Sequence, residues 1–149
     1  MATPKENAAT ARELIQRVLN EGDISYAEKV LADGFVDHSP MPGSAGDKAS
    51  AIAMFTMMHE QTPDMHIEVE DVIASGNKVA VRSTLTGTDT NGFMPGMPPT
   101  GKSFSMGAID VMTFDENGMN TEHYGIYDIP GAMMQLGLMP TPGGPEGGS

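Results

Sequence analysis

The chain has 149 residues, is 39% hydrophobic and 19% charged, and has a net charge of -12, values typical of one soluble globular domain. This charge repels phosphate backbones and anionic lipid surfaces, so neither nucleic acid nor a membrane is an expected partner. The absence of cysteine excludes disulfides, Cys-ligated metals and thiol nucleophiles.

The N-terminal segment has the pattern of an amphipathic helix, not of a secretory signal. Its charged residues interrupt the apolar stretch that a signal requires, so we expect a cytoplasmic protein. Thr3 suits the N-cap, Pro4 suits the first helical position, and the helix should end near Gly22. The predicted buried stripe is Ala11, Leu14, Ile15, Val18 and Leu19.

Two shorter helices are predicted next. Asp23 or Ser25 can cap a helix that runs through Leu31, and a short extended piece follows at 35–38. A third helix should run from about residue 47 to residue 59, with Phe55 on its buried side, and Pro63 closes it.

From residue 65 the apolar period changes from 3.6 to 2, which indicates strands. We predict strands at 65–70, 78–88, 103–114 and 119–127, a loop at 90–101, and a short helical turn at 129–136. Helices followed by an antiparallel meander indicate an α+β domain with a curved sheet around three N-terminal helices. We assign residues 1–139 to this single domain and residues 140–149, rich in Pro and Gly, to a disordered tail.

Several short strings occur in an order that resembles the SnoaL-like polyketide cyclases, within the superfamily named after nuclear transport factor two. The similarity covers roughly residues 8 to 137. The strings are Phe-Val-Asp-His-Ser-Pro at 35–40, Pro-Asp at 63–64, Val-Ala-Val-Arg at 79–82, Gly-Thr at 87–88, Pro-Pro-Thr-Gly at 98–101, Glu-His-Tyr at 122–124 with Asp128 beyond, and Gln-Leu-Gly at 135–137.

The resemblance implies a cone with a deep apolar pocket for a hydrophobic small molecule, commonly in a homodimer, with no metal and no organic cofactor. Cyclases of this family close a ring by intramolecular aldol chemistry, with a carboxylate moving protons. Other members of the superfamily isomerise steroids, open epoxides, dehydrate or only bind ligands. Because one fold hosts all of these, the reaction stays open among a cyclase, a hydratase, isomerase or epoxide-opening enzyme, and a binding protein.

Asp110 is the first catalytic candidate. Characterised cyclases carry an aspartate on the last strand where this chain has Gly125, and Asp110 stands where some carry a pocket histidine. A carboxylate in the apolar run 108–112 would suit general acid or base catalysis. Alternatively, Asp110 faces outward or pairs with Arg82.

His123 and His38 are the other catalytic candidates. His123 could pair with Asp110 across neighbouring strands, and if the last strand has the opposite orientation, Glu122 and Tyr124 would face the pocket instead. His38 begins a Pro-Gly loop, where it could reach the pocket mouth, oriented by Asp37, or bond the loop backbone.

The remaining candidates bind substrate or stabilise structure. Loop 92–101 would be an apolar lid over the pocket, or else a Pro-rich connector or a dimer contact, and Asp128 suits a helix cap. The chain has 14 methionines, which can fill a core or line an adaptable pocket. No spacing of the four histidines predicts a metal site. The substrate-binding candidates are Tyr124, Glu122, Phe93, Met94, Met97 and Phe55.

Overall fold

The computed structural model describes residues 1–142. No helix within this range is both long enough and apolar enough to cross a bilayer. The helices are α1 Pro4–Glu13, which continues as a π-helical segment Leu14–Asn20, α2 Ile24–Val30, α3 Lys48–Gln61 and α4 Ile129–Gln135. The strands are β1 Leu31–Asp37, β2 His66–Ser75, β3 Lys78–Thr88, β4 Ser103–Phe114 and β5 Asn120–Tyr127.

The five strands form one curved sheet in the order β1-β5-β4-β3-β2. Strands β2 to β5 are an antiparallel meander, as predicted. Strand β1 pairs with β5 in parallel, which the sequence pattern did not predict. Because a long connection separates the two strands, they can run in the same direction. The α+β fold class is confirmed.

Helix α1 is fixed at its start by the predicted cap. The Thr3 side chain accepts a hydrogen bond from the Glu6 backbone, and the Glu6 carboxylate accepts one from the Thr3 backbone, which together form a capping box. The stripe that follows packs into the main core: Ala11 and Val18 are fully buried, and Leu14 and Ile15 nearly so. This packing sets the helix against one face of the sheet.

Two side-chain amides pair with strand backbones. Asn20 accepts a hydrogen bond from the Ile67 backbone N–H at 2.7 Å and donates one to the Ile67 carbonyl at 3.0 Å. Gln135 does the same at Ser105, accepting from its N–H at 2.7 Å and donating to its carbonyl at 2.9 Å. Each amide thus occupies the place of a neighbouring strand, on β2 and on β4.

Some boundaries differ from the predictions. Strand β1 begins at Leu31, four residues before the expected extended piece, because the pairing of Leu31 with Asn120 of β5 takes this residue out of the predicted helix and into the sheet. Strand β2 continues to Ser75 through a bulge between Val69 and Asp71, which interrupts the alternation on which the shorter prediction relied. Most of the predicted tail, residues 143–149, lies outside the described residues, and the domain limits remain a prediction.

Candidate active site

A cavity of about 260 Å³ lies between the concave face of the sheet and the helices. Its lining is mainly apolar, as the fold prediction required. Methionine is prominent among the lining residues, and its flexible, polarizable side chain suits a pocket that adapts to a hydrophobic guest. The methionines are Met41, Met54, Met57, Met58, Met65, Met94, Met106 and Met112.

Four polar side chains meet at this cavity. The His123 Nε2 atom lies 2.6 Å from Asp110 Oδ1, and its Nδ1 atom lies 2.9 Å from Asp37 Oδ1. The Tyr127 hydroxyl donates a hydrogen bond of 2.8 Å to the same Asp110 oxygen. All four residues line the cavity, so they form a continuous polar array in a mainly apolar wall.

Strand geometry explains why these residues converge. Asp110 on β4 is the cross-strand partner of Gly125 on β5, and side chains at alternate positions share a face. His123 and Tyr127, each two residues from Gly125, therefore flank Asp110 from one strand. Asp37 comes from the end of β1, where it is the register partner of His123.

The histidine is cationic near neutral pH. Burial alone lowers the pKa of His123, but its hydrogen bonds to Asp110 and Asp37 and the attraction of their charges outweigh burial and raise the pKa from 6.5 to about 9. Burial opposes ionisation of Asp37 too, yet the hydrogen bonds from His123 and from the Ser39 backbone hold its pKa below the usual value. Both imidazole N–H groups are thus donated to carboxylates.

One oxygen of Asp110 is left available. Its Oδ1 atom accepts from both His123 and Tyr127, whereas its Oδ2 atom accepts no hydrogen bond from any residue in 1–142. The side chain is only 15% exposed. A fixed, partly desolvated carboxylate with one free oxygen is suited to taking a proton from a bound molecule.

Three predicted residues lie on the other side of the sheet. The His38 Nε2 atom contacts the Glu122 carboxylate at 2.9 Å, and the His38 ring stacks on Tyr124 with centroids 4.4 Å apart. None of the three lines the cavity. The reason is alternation: Asp37 and His123 point inward, so their chain neighbours point outward. We therefore leave these three residues out of the catalytic assignment.

Loop 90–101 closes part of the cavity. Phe93 and Met94 line it, as does Phe55 of α3, whereas Met97 does not. The Phe93 ring meets Phe104 edge-on at 5.2 Å. Buried Asp89 holds the two ends of the loop together, since its Oδ2 atom accepts hydrogen bonds from the backbone N–H and the hydroxyl of Thr100.

Other polar candidates have structural partners. Arg82 forms an ion pair with Asp71 at 2.7 Å, so it does not neutralise Asp110. Asp128 caps α4 by accepting from the Gly131 backbone at 3.0 Å. Within residues 1–142, no group of three or more His, Asp or Glu side chains is arranged to hold a metal ion.

Sequence reasoning did not select Asp37 as a partner of His123, or Tyr127 at all. Tyr127 could have been found, because it lies four residues after His123 on β5 and side chains at alternate positions of a strand point to the same face. Asp37 could not, since its position depends on the parallel pairing of β1.

Comparison with known proteins gives the class. The SnoaL-like polyketide cyclase model matches residues 9–136, so the chain belongs to this family. A fungal relative, otaY of Aspergillus carbonarius (strain ITEM 5010), is assigned as a cyclase and is 28% identical over 128 residues, which cover 85% of this chain and 90% of the relative.

Solved structures share this fold, under names that differ in the activity they give. IdmH of Streptomyces antibioticus, assigned as a polyketide cyclase, has a TM-score of 0.78 at 29% identity, covering 89% of this chain and 99% of IdmH. AclR of Streptomyces galilaeus, assigned as a hydroxylase, has a TM-score of 0.80 at 25% identity, covering 93% and 89% of the two chains. The family and its neighbours thus support an enzyme of this fold that binds a small molecule.

Proposed function

We propose that this protein is a cofactor-independent enzyme that moves a proton on a hydrophobic carbonyl compound, with intramolecular aldol cyclisation of a polyketide as the reaction. The observation that carries the proposal is the Asp110 carboxylate. One of its oxygens is fixed by His123 and Tyr127, and the other accepts no hydrogen bond from residues 1–142, in a side chain that lines a mainly apolar cavity.

Asp110 acts as the general base and then as the acid. Its Oδ2 atom takes a proton from the carbon next to a substrate carbonyl, the C–H bond breaks, and its electron pair moves into an enolate. The enolate carbon then attacks a second carbonyl of the same molecule and forms the new C–C bond. The proton on Asp110 passes to the resulting alkoxide, so the enzyme returns to its starting state.

His123 serves as a fixed cation. Its pKa of about 9 keeps it protonated near pH 7, so it is not the base, and both of its N–H groups are occupied. Its charge offsets the two carboxylates and holds Asp110 in one orientation. Asp110 is therefore already in position when the substrate binds.

The cavity supports a compact, hydrophobic substrate. A volume of about 260 Å³ is near the lower end for small-molecule sites. Its apolar walls offer little to a highly charged molecule, and the surplus of carboxylates near Asp110 disfavours an anion. A neutral ketone therefore suits the site best.

The experiment is α-proton exchange on 2-tetralone in D2O, followed by NMR, because exchange reports enolate formation without knowledge of the natural substrate. We expect the wild type to exceed the buffer rate and Asp110→Asn to lose at least about 100-fold, with nearly unchanged binding. Asp71→Asn, an exposed carboxylate on β2 that pairs with Arg82, is the matched control. Equal rates for wild type and Asp110→Asn would contradict the role of Asp110.

A second candidate uses the same groups for addition of water. Asp110 can deprotonate a water molecule while the Tyr127 hydroxyl donates to the oxygen of an epoxide, since both groups line the cavity. Incubation with styrene oxide distinguishes this reaction, because it would give a diol that Asp110→Asn does not produce. A protein that binds 2-tetralone but turns over neither compound would be a carrier.

A further inference from the structure

Gly125 and Tyr127 fit together in a way that the catalytic assignment does not explain. A Cβ atom on residue 125 would overlap the hydroxyl oxygen of Tyr127, and would lie 2.9 Å from the His123 ring. The Tyr127 hydroxyl therefore occupies the volume into which a side chain at 125 would project. Only glycine at position 125 leaves space for the Tyr127 side chain to lie over its own strand and reach Asp110.

We propose that Tyr127 is a further catalytic residue, whose O–H donates to the carbonyl oxygen of the substrate as it becomes an enolate, and that Gly125 is the positioning residue that makes room for it. This inference rests on the proposed function of Asp110. It assigns the two roles of acid-base chemistry to different side chains: the carboxylate moves the proton, and the phenol stabilises the negative charge.

The hydrogen bond of Tyr127 can change acceptor during the reaction. Before proton transfer, the hydroxyl donates to ionised Asp110. When Asp110 receives the substrate proton, its carboxylate loses its charge and becomes a weaker acceptor, while the substrate oxygen becomes negative and a stronger one. The donor then turns to the oxygen, so the interaction strengthens in the transition state, which is the condition for catalysis.

Tyr127 is better suited to this role than His123. Within residues 1–142, only these two side chains donate to Asp110, and both N–H groups of His123 are held between carboxylates. Burial and the charge of Asp110 raise the pKa of the Tyr127 hydroxyl above its usual value. The phenol therefore keeps its proton and remains a donor throughout the working pH range.

The first test is Tyr127→Phe in the 2-tetralone exchange assay. We expect kcat to fall about 100-fold, the size of a lost oxyanion donor, with KM nearly unchanged. Tyr124→Phe is the control, because Tyr124 is on the same strand but on the outer face. Wild-type kcat in Tyr127→Phe would overturn the proposal.

The second test is Gly125→Ala, which pushes the phenol away from Asp110 and should also lower kcat. Adding Tyr127→Phe to this variant should cost little more, since both changes remove one interaction. Gly107→Ala on β4 is the control, because a Cβ atom there meets nothing within 4 Å. Full additivity of the two changes would contradict the positioning role of Gly125.

Binding of 2-naphthol separates this inference from the proposed function, because the naphtholate that it forms when Asp110 takes its proton is a planar analogue of the enolate. We expect Tyr127→Phe to bind 2-naphthol about tenfold more weakly than the wild type, as for the loss of one hydrogen bond. If the wild type fails to exchange 2-tetralone but shows this difference, the proposed reaction is wrong and the donor role of Tyr127 stands. Unchanged affinity of Tyr127→Phe for 2-naphthol would likewise contradict that role.

Discussion

The two faces of the sheet each carry a histidine beside a carboxylate, in very different surroundings. On the concave face, the side chains of His123 and Asp110 are both 15% exposed and 2.6 Å apart. On the outer face, His38 and Glu122 are 34% and 40% exposed and 2.9 Å apart. The inner pair has a second carboxylate, Asp37, and a phenol, Tyr127, while the outer pair has the face of Tyr124.

The comparison shows that chemistry depends on what surrounds a pair. Water screens the interaction between His38 and Glu122, so this contact contributes little to stability. On the inner face, low dielectric strengthens each interaction, and loss of one partner leaves a charge with inadequate solvation. The same two residue types thus give a surface contact in one place and a preorganised site in the other.

The largest effect should come from removing the inner cation. His123→Gln leaves Asp37 and Asp110 as neighbouring carboxylates without their counter-charge, so we expect a loss of about 3 to 5 kcal/mol in the free energy of unfolding at pH 7. His38→Gln, its matched control on the outer face, should lose less than about 1 kcal/mol. Urea denaturation measures both, and similar losses for the two variants would refute the distinction between the faces.

A pH series should give an intermediate effect. The folded-state pKa of His123 is raised from 6.5 to about 9, so its stabilising contribution is complete below pH 6.5 and is lost as pH rises through about 9. The urea midpoint of the wild type should therefore decline across this interval, beyond any general alkaline effect. His38→Gln should keep this decline and His123→Gln should lack it, whereas the same slope in all three proteins would assign it to other groups.

The smallest effect on folding should come from the outer face, where Ile109 and Ile126 are cross-strand partners and are 52% and 80% exposed. We propose that a second copy of the chain covers them, as the family resemblance implies. Ile126→Asp should then convert a dimer into a monomer by light scattering, with monomer stability changed by less than about 0.5 kcal/mol. A monomeric wild type at micromolar concentration would refute this arrangement.

The sequence predicted the structure best where strands pair with their neighbours in the chain. The predicted limits of β3 and β4 agree with the structure, because long alternation and tight turns are read from neighbouring residues. The meeting of Asp110 and His123 could be anticipated for the same reason, since consecutive strands pair. Their catalytic role remains a prediction.

The features that depend on distant pairing could not be predicted. Strand β1 takes its place from a parallel partner near the other end of the chain, and this pairing alone brings Asp37 to His123. The sequence also did not determine which face of β5 lines the cavity. Alternation along the strand places His123 on one face and Glu122 and Tyr124 on the other, but it does not tell which of these faces is concave. Only the curvature of the assembled sheet decides it.

The amides of Asn20 and Gln135 have a consequence for assembly. A free strand edge is a template onto which another chain can add as a new strand, the route to fibrils and swapped dimers. These amides already occupy the backbone N–H and C=O groups of Ile67 and Ser105. An added strand could therefore not form its backbone hydrogen bonds at these two residues. Pairing of strand edges between copies of the chain is therefore hindered at these two points.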